Sequence, residues 1–387
     1  MTSCDSVYRE RFRLTLEHKA VDRCPIDLGG TPQSTIDAPQ AAAELARYLG
    51  FAGPAPGDYD KLDRRLLEHW DVDLRRAGAL LGYETARRRR VSDTEWIDEY
   101  GIHHRFSGLH WELGEGPLRD ATRDDLAAYE LPGPEQIAQG VIDNCVARAR
   151  RLFEQTPYVI VGEHPVFGVL ELACWLCGYD WVMEMMAADP ESVHLLFGKI
   201  LDFQKRIIPL YYGALGEYIH LTTSGDDFGT QHGLFMSPTM WRGFVKPYMR
   251  ERIAFTAQFT DAVYMHHSCG AVFEIIPDLI EIGVRILNPI QPAAAGMAPE
   301  RLKAAYGRSI VFHGGLDTQA VLPSGDAPRI RGAVRALIET MRPRAEGGYI
   351  FAPAHNLQAD VSSASIAAMY DAAHAAGRSD RDGGSAA

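Results

Sequence analysis

Short apolar runs, each ending in small or polar residues and each followed by a stretch of helical periodicity, recur along the chain. Residues 24–28 end in Gly29-Gly30-Thr31, 158–161 in Gly162-Glu163-His164, and 218–221 in the polar stretch Thr222 to Asp227. Residues 262–265 end in His266-His267-Ser268-Cys269, and 285–287 in Asn288-Pro289-Ile290-Gln291. Residues 309–312 run into His313 to Asp317, and 349–351 into Ala352 to Asn356. Runs of this length bounded by turn residues predict strands, and a weaker eighth lies near 72–74. Helical periodicity covers 41–49, 61–67, 134–154, 166–187, 192–215, 238–259 and 327–341. Strands alternating with helices predict a parallel α/β architecture. The chemically capable side chains follow the carboxyl ends of the runs, where a TIM barrel builds its site. No Gly-x-Gly-x-x-Gly follows the first strand, which argues against a dinucleotide-binding sheet. The expectation is a single TIM (β/α)8 barrel over residues 1–376. Residues from roughly 30 to 150, with a predicted hairpin around Trp96 to Trp111, are read as an N-terminal cap or insertion over the barrel mouth. The Gly-, Ser-, Asp- and Arg-rich tail 377–387 is expected to be disordered.

The candidate chemistry sits at the ends of two of these runs. In an extended strand, residues two apart share a face, so a nitrogen of His267 and the sulfur of Cys269 would converge on one point. His355, after the last run, supplies a third candidate ligand. Three protein ligands with an open fourth position describe a catalytic zinc; without metal, the same residues are a buried polar pair and a substrate-facing histidine. His266, on the opposite face, reads as a packing histidine. Glu163 is read either as a base or fourth ligand, or as a capping carboxylate for the next helix. Asp226 and Asp227 are adjacent, so only one faces the pocket, and Asp227 is assigned there as a general acid or base. Gln231, Gln291, Asn288 and His313 are read as substrate-facing positions, with His313 and Asp317 also placed to orient a ligand histidine. Cys174 and Cys177 lie within an apolar helical run and read as core, as the aromatic group Trp96, Tyr100, Phe106 and Trp111 reads as cap packing.

Composition narrows the class. The 387 residues are 46% hydrophobic and 23% charged, as in an ordinary globular protein, with a formal net charge of −12. That sign argues against nucleic acid or an anionic membrane as partner. The arginine run 87–90 is expected to be a solvated turn or helix end. Met1 to Arg13 holds no apolar signal segment and no run approaches a membrane span. Six scattered cysteines suggest no disulfide framework. A cytoplasmic location is expected.

The chain resembles the uroporphyrinogen decarboxylase superfamily over nearly its whole length. The likeness is densest at Gly225-Asp-Asp-Phe-Gly-Thr-Gln231, Ser237-Pro238 with Lys246-Pro-Tyr248, His267-Ser-Cys-Gly270, Asn288-Pro-Ile-Gln-Pro292 and Gly314-Gly-Leu-Asp317. The resemblance implies a TIM barrel. True decarboxylases of the family carry an arginine-rich segment after the first strand and no metal, whereas here Asp27 to Ile36 contains no arginine. The other branch comprises methyltransferases that carry zinc on a His-x-Cys motif plus a later cysteine and move methyl groups to or from a corrinoid (cobalamin). His267 and Cys269 match that motif; no cysteine follows Cys269, and His355 stands in the later position. The resemblance therefore implies methyl transfer between a small-molecule methyl ether, alcohol or thiol and a corrinoid held by a separate protein or free, with a homodimer also expected. The alternatives are a metal-free, decarboxylase-like enzyme acting on an aromatic or pyrrolic acid, and a non-catalytic carrier of a corrinoid or small ligand.

Overall fold

The computed structural model describes residues 6–37, 39–53, 62–78, 82–108, 111–138 and 140–378. Its strands are β1 (Leu74–Arg76), β2 (Arg89–Arg90), β3 (Glu95–Ile97), β4 (His103–Phe106), β5 (Trp111–Leu113), β6 (Val159–Glu163), β7 (Leu221–Gly225), β8 (Val263–His267), β9 (Ile286–Asn288), β10 (Val311–His313) and β11 (Tyr349–Ile350). β1 and β6 to β11 pair in parallel, in chain order, as one sheet. The predicted first run closes it. Ile26 bridges Phe351 in parallel, Asp27 N donates to Phe351 O, and Phe351 N donates to Pro25 O. On its other side Asp73 N donates to Ile26 O. Residues 24–28 thus stand as the eighth stave between β11 and β1, and the molecule is a TIM-type α/β barrel. The weak run near 72–74 is realised slightly later, as β1.

The interior is layered. Leu74, Val159, Val161, Leu221, Met265, Ile286, Val311 and Ile350 form one buried cluster with Phe12. Strand side chains repeat every second residue on a face. The next inward positions toward the carboxyl ends are therefore Arg76, Glu163, Thr223, His267, Asn288 and His313. An apolar floor so carries a polar layer, one step higher on the same staves.

Phe12 enters that floor from the helix Val7–Leu16, which apolar periodicity does not reveal because its other buried face is arginine. Arg9 and Arg11 are buried on it. Arg11 pairs with Asp73 and, at 2.6 Å, with Asp22, while Arg23 meets Asp73 at 2.6 Å. These pairs neutralise charges that would otherwise oppose burial. Two predicted helices are each divided. The span 166–187 is Val169–Cys177 and Tyr179–Ala188, parted at Gly178, whose φ of 100° an L side chain rarely adopts. The span 238–259 is Pro238–Phe244 and Lys246–Thr256.

Within residues 30–150, β1 belongs to the barrel sheet, whereas β2 to β5 form a separate antiparallel sheet. Of the arginine run, Arg87 lies in a turn, as expected, while Arg89 and Arg90 form the exposed strand β2. Trp96 stacks on His104 with ring centres 4.2 Å apart, and Tyr100 meets Phe167 and Phe203 edge-on, which ties this region to the barrel's helical layer. Of the predicted tail, residues 377 and 378 end the helix Ser363–Arg378, and 379–387 lie outside the described residues. No helix among the described residues is long and apolar enough to cross a membrane. Among them Cys24, Cys145, Cys174, Cys177 and Cys269 are free thiols.

Phe12→Ala should remove the plug of the barrel floor and lower unfolding stability by about 3–5 kcal/mol. The drop would be read as a lower urea midpoint at unchanged far-ultraviolet dichroism.

Candidate metal centre

β8 delivers His267 at its last residue, on the inward face, and Cys269 follows two positions on. Their ligand atoms, His267 Nε2 and Cys269 Sγ, are 3.5 Å apart. Together with a ring nitrogen of His355 they lie within 4.8 Å of one another. Tetrahedral zinc, with bonds of about 2.0–2.1 Å to nitrogen and about 2.3 Å to sulfur, sets such atoms roughly 3.3–3.7 Å apart. The donor set fits a zinc ion after a small inward movement of His355. The turn that aims Cys269 depends on Gly270, whose φ is +82° and whose missing Cβ would lie 2.4 Å from the carbonyl of Gly229. Behind it the hydroxyl of Ser268 accepts from Phe228 N at 2.9 Å, locking β8's end to the loop after β7.

A buried chain of hydrogen bonds sets the tautomer of His267. Asp27 is fully buried and accepts from Gly30 N, Thr31 N, the Thr31 and Ser34 hydroxyls and His313 Nε2. Burial opposes its charge, but the hydrogen bonds from His313, Ser34 and Thr31 prevail and hold its pKa below the usual carboxylate range. An ionised carboxylate only accepts, so His313 Nε2 carries the proton across the 3.0 Å contact. In its neutral form His313 then accepts at Nδ1 from Asn288 Nδ2 at 2.7 Å. That leaves Asn288 Oδ1 facing His267 Nδ1 at 2.5 Å, so His267 donates there. The lone pair of His267 is therefore on Nε2, the atom facing Cys269 Sγ.

The carboxylates divide by position. Asp226 turns away and accepts from Leu170 N and Glu171 N at the start of helix Val169–Cys177. Asp227 turns inward, accepts from Cys269 N at 2.7 Å and lies 3.8 Å from His267 Nε2. A carboxylate that the sequence reading passed over, Glu171, joins them. It is the one charged residue in an otherwise apolar helix, and that is the signal that could have found it. Its Oε2 and the Cβ of His267 each lie 3.9 Å from the Cβ position that Gly225 leaves empty. Burial, then the charges of Asp227 and Asp226, push the Glu171 carboxyl well above its usual pKa. Burial, then Asp227 and Glu171, also raise the Cys269 thiol. A protein without metal there would hold the thiol, not the thiolate.

The other predicted residues take varied places. Glu163 pairs with Arg76 at the barrel's polar layer and is not part of the His267, Cys269 and His355 cluster. Asn288 and His313, read as substrate-facing, are buried with their polar atoms on each other. Gln231 accepts from Ala295 N through its backbone carbonyl, and its side chain is not among those lining the cavity beside the cluster. His266 is buried, stacked on Phe228 with ring centres 5.2 Å apart. Cys174 and Cys177 are buried in their helix. Asp317 binds its own turn, accepting from Gln319 N and Ala320 N. A cavity of about 290 Å³ opens beside the cluster, lined by Cys269, His355, Gln291, Asp317, Asn356 and neighbouring residues of the segments 291–293, 317–319 and 354–358.

The model of the family described as uroporphyrinogen decarboxylase (URO-D) matches residues 107–376, well over half of the chain. No curated protein matches it. Among solved structures, a methyltransferase from Methanosarcina mazei is similar over 95% of this chain and 98% of its own, with a TM-score of 0.66 and 18% identity. At that identity the likeness is one of fold. A hyperthermophilic β-glucosidase mutant covers 94% of each chain at a TM-score of only 0.39 and 9% identity, too distant to inform the site.

Asn288→Ala should free both imidazoles it joins and weaken zinc binding about 10–100-fold, while leaving the ligand atoms in place. Competition against a chromophoric chelator measures the change.

Proposed function

The chain belongs to the uroporphyrinogen decarboxylase family, and from that premise we propose that it is a zinc-dependent methyltransferase. It moves a methyl group between a small methyl ether, alcohol or thiol and a corrinoid, either free or held by a separate protein. One observation carries the reading: His267 Nε2, Cys269 Sγ and a nitrogen of His355 converge within 4.8 Å beside a cavity of small-molecule size. The fold likeness to the Methanosarcina mazei methyltransferase supports it. Decarboxylation of a polyacid would call for cationic clamps, and no Lys or Arg is among the residues lining that cavity.

Zinc at this centre would supply Lewis acidity to a substrate heteroatom, and the corrinoid a cobalt that takes or gives the methyl group. His267 holds its place through Asn288, with its lone pair already directed. One thiolate and two neutral imidazoles make a less negative donor set than two thiolates, which favours polarising an oxygen over activating a thiol. Asp227 fixes the backbone of Cys269. Burial and its acidic neighbours raise the pKa of Glu171 well above the usual range and so favour its protonated carboxyl. It is the group placed to give that proton to a departing alkoxide and to recover it from an entering alcohol or thiol.

Elemental analysis of purified protein should find about one zinc ion per chain, and Cys269→Ala should lose it. The wild-type protein should then convert cob(I)alamin to methylcobalamin, followed by absorbance, with a methyl ether or alcohol as donor. Wild-type protein lacking zinc would sink the reading in favour of the decarboxylase-like or carrier alternatives. Glu171→Gln should retain zinc and lower kcat by about 10²-fold or more, because the amide keeps the shape and gives up the transferable proton.

A further inference from the structure

Four carboxamides line the cavity, those of Gln291, Gln319, Asn356 and Gln358; Gln358 Nε2 donates to Asp37, and the orientations of Gln291 and Asn356 follow from chemistry alone. A backbone N–H can only donate, so the side-chain atom it meets must be an oxygen. Gly270 N meets the Gln291 amide at 2.7 Å, and Thr35 N meets the Asn356 amide at 2.9 Å. Both oxygens are therefore committed to the scaffold, and neither amide nitrogen has a hydrogen-bond partner among the described residues. Gln291 and Asn356 thus present paired N–H donors to a cavity whose wall also holds Cys269 and His355. The same lining contains no cationic side chain among the described residues, and its one carboxylate, Asp317, already accepts two backbone N–H groups.

The geometry points to an uncharged substrate bearing hydrogen-bond acceptors. We infer that Gln291 Nε2 and Asn356 Nδ2 hold a hydroxyl, ether or carbonyl oxygen of a small neutral molecule whose reacting heteroatom faces the metal centre; the inference rests on the zinc-dependent reading above. A sulfonate, phosphate or carboxylate in the outer part of the cavity would lose its hydration without gaining a cation. An ammonium group set against Gln291 Nε2 and Asn356 Nδ2 would meet N–H donors instead of acceptors.

Three thiols that share a metal-directed sulfur and differ only at the far end test this: 3-mercaptopropan-1-ol, 3-mercaptopropane-1-sulfonate and 3-aminopropane-1-thiol. Calorimetric titration of the zinc-loaded protein, with zinc measured on the same sample, should show the alcohol bound at least about tenfold tighter than either charged thiol. Asn356→Asp and Gln291→Glu each keep an oxygen for the scaffold N–H and replace only the free amide nitrogen. Each should weaken the alcohol about five- to tenfold, the scale of one neutral hydrogen bond. A charged thiol bound as tightly as the alcohol overturns the inference and leaves the metal reading standing, as would variants that hold zinc and bind the alcohol unchanged. The wild-type comparison decides the matter even if a variant does not fold. A protein that takes up no zinc removes the metal reading, and the inference falls with it.

Discussion

The buried carboxylate of Asp27 is the constraint on which both the ring and its chemistry depend. Isolating an ionised carboxylate from water costs several kcal/mol or more unless its oxygens are satisfied, by roughly the reckoning that applies to any buried charge. Here five donors satisfy it: two loop N–H groups, two hydroxyls and one imidazole. Four come from the short loop 30–34, folded tightly enough that a Cβ on Gly30 would lie 2.6 Å from the Asp27 carboxylate and 2.4 Å from Leu74. The fifth, from His313, reaches across the barrel's polar layer. Asp27 also belongs to the stave that closes the ring between β11 and β1. Closure of the barrel and the tautomer of His267 thus both lead back to the same carboxylate.

That coupling explains why the polar layer tolerates burial. Six of the strands, β1 and β6 to β10, follow an inward apolar side chain with a polar one two residues later, so polar groups meet polar groups from neighbouring staves at the same height. Arg76 finds Glu163, and His267 finds Asn288, which finds His313. A register slip of one residue in any of these strands would turn the polar residue into the helical layer and leave its partner unsatisfied. The apolar floor below, plugged by Phe12, keeps water from reaching the layer from the amino-terminal side.

Much of this was legible in the sequence, and the reasons for the rest are physical. Strand ends followed by polar residues mark the barrel, and the His-x-Cys spacing on an extended segment places two ligand atoms on one face before any coordinates exist. Asp27 gave no such signal, because its partner His313 lies 286 positions away and hydrogen bonding at that range leaves no local period. Glu171 was hidden by its surroundings, since periodicity reads an apolar helix with one acid as core. The helix carrying Phe12 was hidden for the opposite reason: its buried Arg11 is paired by Asp22 and Asp73 and its buried Arg9 donates to the carbonyls of Phe153, Thr156 and Tyr158, so its composition imitates a surface helix. Gln231 and Gln291 looked equivalent as neutral residues at strand ends. Only the fold distinguishes them, by lining the cavity with one and not the other.

The electrostatics of the centre follow from what each acid faces. Asp226, Asp227 and Glu171 crowd one side, and three charges in so small and buried a space would repel strongly. At Asp226 burial prevails over the helix N–H groups of Leu170 and Glu171 and the nearby Arg252, and its pKa is pushed up to about 7. Asp227 has the Cys269 N–H and partial access to solvent. At Glu171 burial and the charges of Asp227 and Asp226 outweigh the nearby Arg252, so its pKa is raised well above the usual carboxylate range. None of these three acids lines the cavity that Gln291 and Asn356 share with Cys269 and His355. The one carboxylate there, Asp317, already accepts two backbone N–H groups. The crowded acids and the cavity amides therefore occupy different parts of the centre, and a change of charge among the first leaves the hydrogen-bonding groups of the second in place.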